Sequence, residues 1–150
     1  MPRKPISIGC DPEFFLKKRE GAETGKYICA IPFIKGTKEE PQRLPSGCGN
    51  VQFDNVAVEF ATTPAMGLKD WIDKIRATIE DVSKVIPTDC SLNACPSAVF
   101  TEDQLTDPEA HRFGCEPDYN AWTLVENDAP CAADPNFRSC GAHIHVGTEP

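Results

Sequence analysis

Gly9-Cys10-Asp11-Pro12-Glu13-Phe14-Phe15-Leu16 is the stretch on which the reading of this chain turns. In an extended backbone, side chains two residues apart share a face, so Asp11 and Glu13 point together. Near the other end, Gly141-Ala142-His143-Ile144-His145-Val146-Gly147 repeats the device with two imidazoles. The apolar residues between, Phe14 and Leu16 on one strand and Ile144 and Val146 on the other, are expected to pack behind them. Two carboxylates and two imidazoles on rigid strands are the start of a metal site. Two further acidic segments lie between, Phe53-Asp54-Asn55-Val56-Ala57-Val58-Glu59-Phe60 and Gly114-Cys115-Glu116-Pro117-Asp118-Tyr119-Asn120.

The 150 residues suit one domain spanning 1–150, long enough to bury a substantial core. A net charge of -8 sets the chain against nucleic acid and anionic membrane, neither of which would attract it. ATP is not excluded, since metal and local Lys or Arg carry its charge. No apolar run approaches the ~20 residues of a membrane span. No apolar h-region follows the N-terminus, so no signal peptide is read and a cytoplasmic place is expected. Eight cysteines are an even count, yet none are spaced Cys-x-x-Cys. Reduced thiols acting mostly as small buried apolar residues are the expectation, with Cys115 and Cys140 beside the candidate site.

Residues 6–16 read as a strand broken by Pro12, which has no N–H for a ladder and so marks an edge or bulge. A second strand is expected near Tyr27 to Phe33, and 35–50 read as loop. Val51 to Thr62 alternates as a strand, with Val56, Val58 and Phe60 facing one way and Ala57, Glu59 and Ala61 the other. Leu68, Trp71, Ile72, Ile75, Ile79, Val82 and Val85 form one apolar stripe, predicting a helix over 67–86 that Pro87 stops. Ser97 to Phe100 suits a short strand, Pro108 a short helix start, and 126–136 a loop. Strands, then a helix, then strands point to an α+β fold with a largely antiparallel sheet.

Each candidate also has a plainer explanation. Asp11 and Glu13 would be solvated acids on an edge strand, but their apolar sequel fits that poorly. Glu59 lies between Val58 and Phe60, where an unpaired buried acid is costly and a cation would relieve it. Asp54 and Asn55 suit a turn as readily as ligation. Glu116 and Asp118 flank Pro117 as in a capped turn, or Glu116 is a ligand. His143 and His145 favour ligation, and His111 is structural. Several acids with one or two histidines suit Mg²⁺ or Mn²⁺ with nucleotide phosphates better than structural zinc. No Walker-type phosphate loop and no nucleophile elbow are present.

These residues resemble a known family. Gly9 to Leu16 resembles the first metal-binding strand of glutamine synthetase, where two acids flank a proline before paired phenylalanines. Gly141 to Gly147 resembles that enzyme's glycine-rich His-x-His strand. Glu59-Phe60-Ala61-Thr62-Thr63-Pro64 resembles the acid-then-Thr-Pro segment of glutamate–cysteine ligases. With Gly36-Thr37-Lys38-Glu39, Gln52 to Phe60 and Gly114 to Trp122, the set is most similar to the phage-type COOH–NH2 ligases, amidoligases of the same superfamily. The resemblance spans about residues 6–147.

It implies an antiparallel sheet curving around an ATP–metal site, as in the glutamine synthetase catalytic domain. It implies ATP-dependent joining of a small-molecule or peptide carboxylate to an amine through an acyl phosphate. Glu13, Glu59 and Glu116 would be the catalytic carboxylates holding Mg²⁺ or Mn²⁺ against the phosphates. Asp11 and His143 match positions that hold the metal nearer the nucleotide. His145 would be ligand or phosphate contact, and Lys38 and Arg138 would contact the cofactor, with Arg43 and Arg112 also available. Phage origin would place the protein in host cytoplasm. Relatives continue beyond the His-x-His strand, so the N-terminal part of the family fold is expected, with a homo-oligomer possible. A metal-dependent hydrolase and a non-catalytic module of the same fold are the alternatives.

Overall fold

In a computed structural model, residues 5–112, 119–127 and 134–148 are described. The chain folds as α+β around a curled sheet in which every strand pairing is antiparallel. The central element is the opening segment. It runs as β1 (Ile6–Cys10) and β2 (Glu13–Lys18), interrupted at Asp11-Pro12. Pro12 O still accepts from Phe60 N at 3.4 Å, but the ring nitrogen returns nothing, so the ladder breaks there.

Strands β5 (Gly49–Asp54) and β6 (Ala57–Thr62) form a hairpin, and β6 pairs with β2. The alternating run at 51–62 is therefore two strands, not one. Asn55 turns the chain with φ 55°, a conformation Asn tolerates, while its Oδ1 accepts from Val56 N. Short strands β3 (Tyr27–Ile28) and β7 (Cys90–Asn93) flank β2, and β4 (Gln42–Arg43) flanks β5. The strand expected through Phe33 stops at Ile28, because residues from Ala30 turn: Phe33 N and Ile34 N both donate to Ala30 O. Strands β8 (Ser97–Val99) and β9 (Phe137–Ser139) pair separately. β10 (Ile144–Thr148) lies along β1.

Helix α1 (Leu68–Val85) covers one face of the sheet. Its Val82, with Ile86 just beyond, packs on Leu16, Val51, Val58 and Phe60, and Phe14 stacks on Phe60 at 5.7 Å between centroids. Each such fully buried side chain contributes roughly 1.5–3 kcal/mol. The apolar stripe is buried only toward its C-terminal end; Leu68 and Ile72 are exposed. The helix approaches β5 closely at Gly49, where a Cβ would lie 2.4 Å from Ala61 O and 3.0 Å from Thr78 Oγ1.

The opposite face carries a second core of Phe15, Cys29, Val56, Ala57, Ala98, Phe100, Leu105 and Ala110. It is closed by β8, β9 and a 3₁₀ turn at Pro108–His111, whose first amide is capped by Asp107. Among the described residues this cover leaves Glu13 and Glu59, which share that face with Phe15 and Ala57, half-buried. No described helix is long and apolar enough to cross a membrane.

Gly49→Ala is expected to cost about 1–3 kcal/mol, because Ala61 O is backbone and has little room to yield. Urea unfolding checks this; a variant as stable as the parent would show that β5 and β6 separate freely.

Candidate functional site

The register of β2, β6 and β5 creates the site. Glu13 pairs directly with Glu59, and Glu59 with Gln52. Glu13 N donates away from β6, to Gly141 O at 3.0 Å, so Glu13 and Glu59 form a non-hydrogen-bonded pair, the closer kind for side chains. Like charges opposite one another are destabilising. Each acid has one donor in compensation. Gly141 N donates to Glu13 Oε2 at 2.9 Å, and Gln52 Nε2 to Glu59 Oε2 at 2.8 Å. Burial nonetheless pushes both carboxyls above the usual glutamate range, and Asp54 and Asp11 push the same way.

Asp11 has a different part. Its Oδ1 accepts from His143 N at 3.1 Å, and its Oδ2 lies 3.0 Å from His145 Nε2. His143 Nδ1 is 3.4 Å from Asp11 Oδ1, and the two rings are 6.3 Å apart. Both histidines thus turn to Asp11, on the side from which His143 also acts electrostatically on Glu13. Asp11 clamps β10 to β1 through a backbone amide and an imidazole. The apolar residues of β10 do not pack behind it: Ile144 and Val146 are 64% and 65% exposed. Among the described residues β10 pairs with β1 alone.

Asp54 belongs to the same face. It raises the proton affinity of both Glu13 and Glu59, and Lys38 Nζ stands 4.0 Å from its Oδ2. Cys140 is also adjacent; burial, then Glu13 and Asp54, drive its thiol well above the usual cysteine range. The six described cysteines are all free thiols. Arg138 lies elsewhere. It is buried, and its guanidinium donates to Ala110 O, Pro135 O and Phe137 O, tying β9 to the 3₁₀ turn. Those bonds give it a structural part. Glu116 falls outside the described residues.

The structure thus sets His143 and His145 on Asp11, and Glu13 beside Glu59, with Asp11 acting electrostatically on both glutamates. Among the described residues, however, no three His, Cys, Asp or Glu side chains converge closely enough to hold a metal as they stand. The donor chemistry is that of a hard cation: two half-buried carboxylates side by side, with a third nearby. Gln52, which orients Glu59, and Asp54 were the least legible members. Their signal is their spacing, two apart on β5, across from Glu59. The chain matches no family profile, no curated protein and no solved structure.

Glu13 and Glu59 bind a proton more tightly folded than unfolded. Their contribution to stability is complete below the unfolded value of 4.5 and is lost as pH rises through the raised folded values. Glu13→Gln and Glu59→Gln are therefore expected to raise the metal-free melting temperature at neutral pH, with the gain vanishing at acid pH. Melting curves across pH in chelator test this; destabilisation that is the same at every pH would mean the acids are held as hydrogen-bond acceptors only.

Proposed function

We propose that the chain is an ATP- and Mg²⁺-dependent carboxylate–amine ligase acting through an acyl phosphate. The observation that carries the proposal is the Glu13–Glu59 pair: two adjacent, half-buried carboxylates, each with one neutral donor, at the end of the sheet the second core leaves open. Keeping two such acids together is costly unless a cation joins them. The resemblance to the phage-type COOH–NH2 ligases supports the same assignment, since the paired acids fall in its metal-binding segments.

The chemistry needs positioning and charge neutralisation more than covalent help. A substrate carboxylate oxygen attacks the γ-phosphorus of ATP; the bond to the β,γ-bridging oxygen breaks and ADP leaves with its electron pair. The amine then attacks the acyl carbon, the C–N bond forms and phosphate departs. Of the two protons shed by the ammonium, one leaves on phosphate and one goes to solvent. Bound Mg²⁺ or Mn²⁺ supplies charge neutralisation to the phosphates. Glu13 and Glu59 are the residues to hold it, held in turn by Gly141 N and Gln52. Asp11 keeps His143 and His145 beside them, and Lys38 lies within reach for an anionic oxygen.

Glu13→Gln and Glu59→Gln are each expected to weaken Mg²⁺ or Mn²⁺ binding by about tenfold or more, the equivalent of ~1.4 kcal/mol, with the fold intact. Calorimetry reads the affinity. A parallel assay follows phosphate release from ATP with pooled carboxylates and amines. Unchanged metal affinity in both variants, or no ATP-dependent phosphate release from the parent chain, overturns the proposal.

A further inference from the structure

A cavity of about 340 Å³ opens beside the acid pair, lined by Thr37, Lys38, Glu39, Phe53, Asp54, Asn55, Glu109 and Arg112. Its size is at the small end for ligand sites, suiting a metabolite rather than a nucleotide. Its walls come from three places that the fold ties together. Gly36 lets the 36–40 loop lie directly on β5, with Phe53 N donating to Gly36 O; a Cβ there would sit 2.1 Å from Val51 O and 2.5 Å from Gln42 N. Asn55, at the hairpin turn, donates through Nδ2 to Arg112 O at 2.6 Å. The loop, the hairpin and the residue after the 3₁₀ turn are therefore held in register around the opening.

The charges are graded from inside to outside. Asp54 is the inner one, its side chain 17% exposed and on the face of Glu13 and Glu59. Lys38 and Arg112 stand at the mouth, their side chains 57% and 70% exposed. Arg112 meets both oxygens of Glu109 through Nη1; a guanidinium has five N–H donors, and among the described residues Nε and Nη2 make no hydrogen bond. Lys38 and Asp54 stand 4.0 Å apart, a loose ion pair at the edge of contact. Phe53 supplies an apolar wall.

We propose that this cavity is the amine-substrate pocket and that the amine carries its own carboxylate, as a free amino acid does. This rests on the ligase reading above. A zwitterion replaces the ligand-free contacts without changing the charge balance. Its ammonium takes Lys38's place on Asp54, and its carboxylate receives Lys38 and Arg112, the latter able to offer two parallel N–H groups. That orientation sends the nucleophilic nitrogen inward, toward the Glu13–Glu59 end where the acyl phosphate forms. A plain alkylamine or polyamine can meet Asp54 but brings no carboxylate to Lys38 and Arg112.

The test titrates the 150-residue chain, without ATP or metal, with a panel of L-amino acids and with the amine left by decarboxylating each. Nuclear magnetic resonance shifts of the Asp54, Asn55 and Arg112 amides report binding. At least one amino acid is expected to bind saturably, at least about tenfold more tightly than its decarboxylated partner. Lys38→Gln with Arg112→Gln is expected to abolish that preference; both side chains are exposed, so the fold survives. Equal affinity for amino acid and amine, no saturable binding, or a preference that persists in the double variant overturns the proposal. Phosphate release from ATP separates the two readings. Amino-acid binding without ATP turnover removes the ligase and leaves the site a zwitterion pocket, whereas turnover as fast with decarboxylated amines as with amino acids removes the pocket and leaves the ligase.

Discussion

The register between β2 and β6 is the constraint from which the site follows. Setting Glu13 opposite Glu59 puts two carboxylates where like charges repel. A slip of one residue would send each acid to the helix-covered face, among Val51, Val82 and Phe60, where an unpaired charge is far more costly. The apolar alternation that builds the core thus also fixes the acids. Phe14 and Leu16 must face α1, so Glu13 cannot; Val58 and Phe60 must face it too, so Glu59 cannot.

What surrounds the pair moderates its repulsion without removing it. Gln52 and Gly141 N each give one neutral hydrogen bond, worth about 1 kcal/mol, against the burial of a charge. Asp54 and Asp11 add further negative potential. Two cations stand outside the pair: Lys38 meets Asp54, and Arg112 meets Glu109. The arrangement concentrates negative charge at one open end of the sheet while the polypeptide provides positive charge at the rim. A substrate with matching polarity would be oriented as it entered.

Much of this was legible in the sequence because it depends on period two. Glu59 against its apolar neighbours follows from alternation; Asp11 lies in the break between β1 and β2, and His143 just before β10, so their places depend on the pairing of β1 with β10. The helix limits followed from the stripe and Pro87. Other features depended on information that no single segment holds. The 51–62 run alternates through Asn55, so nothing in its hydrophobicity separates two strands from one; only the tolerance of Asn for a positive φ hints at the turn. The exposure of Ile144 and Val146 could not be read from their apolarity, since burial depends on what packs against a strand and not on its own residues. Arg138 shows the converse, a cation whose acceptors include two neighbouring carbonyls and one, Ala110 O, from a distant turn.

The two halves of the site are not equally secured. Glu13, Gln52 and Glu59 sit on strands with partners on both sides or a helix behind, so their ladder opens only with the core. β10 has a single neighbour, and its side chains are exposed throughout. Peptide segments attached on one edge only belong to the least stable end of a protein's spectrum of local openings. Detachment of β10 would carry off His143, His145 and the amide that Glu13 accepts from, leaving the carboxylates more hydrated and less apart from the solvent. The acids and the imidazoles would then behave as separate cooperative units, the first persisting to global unfolding and the second exchanging its amide protons well before it.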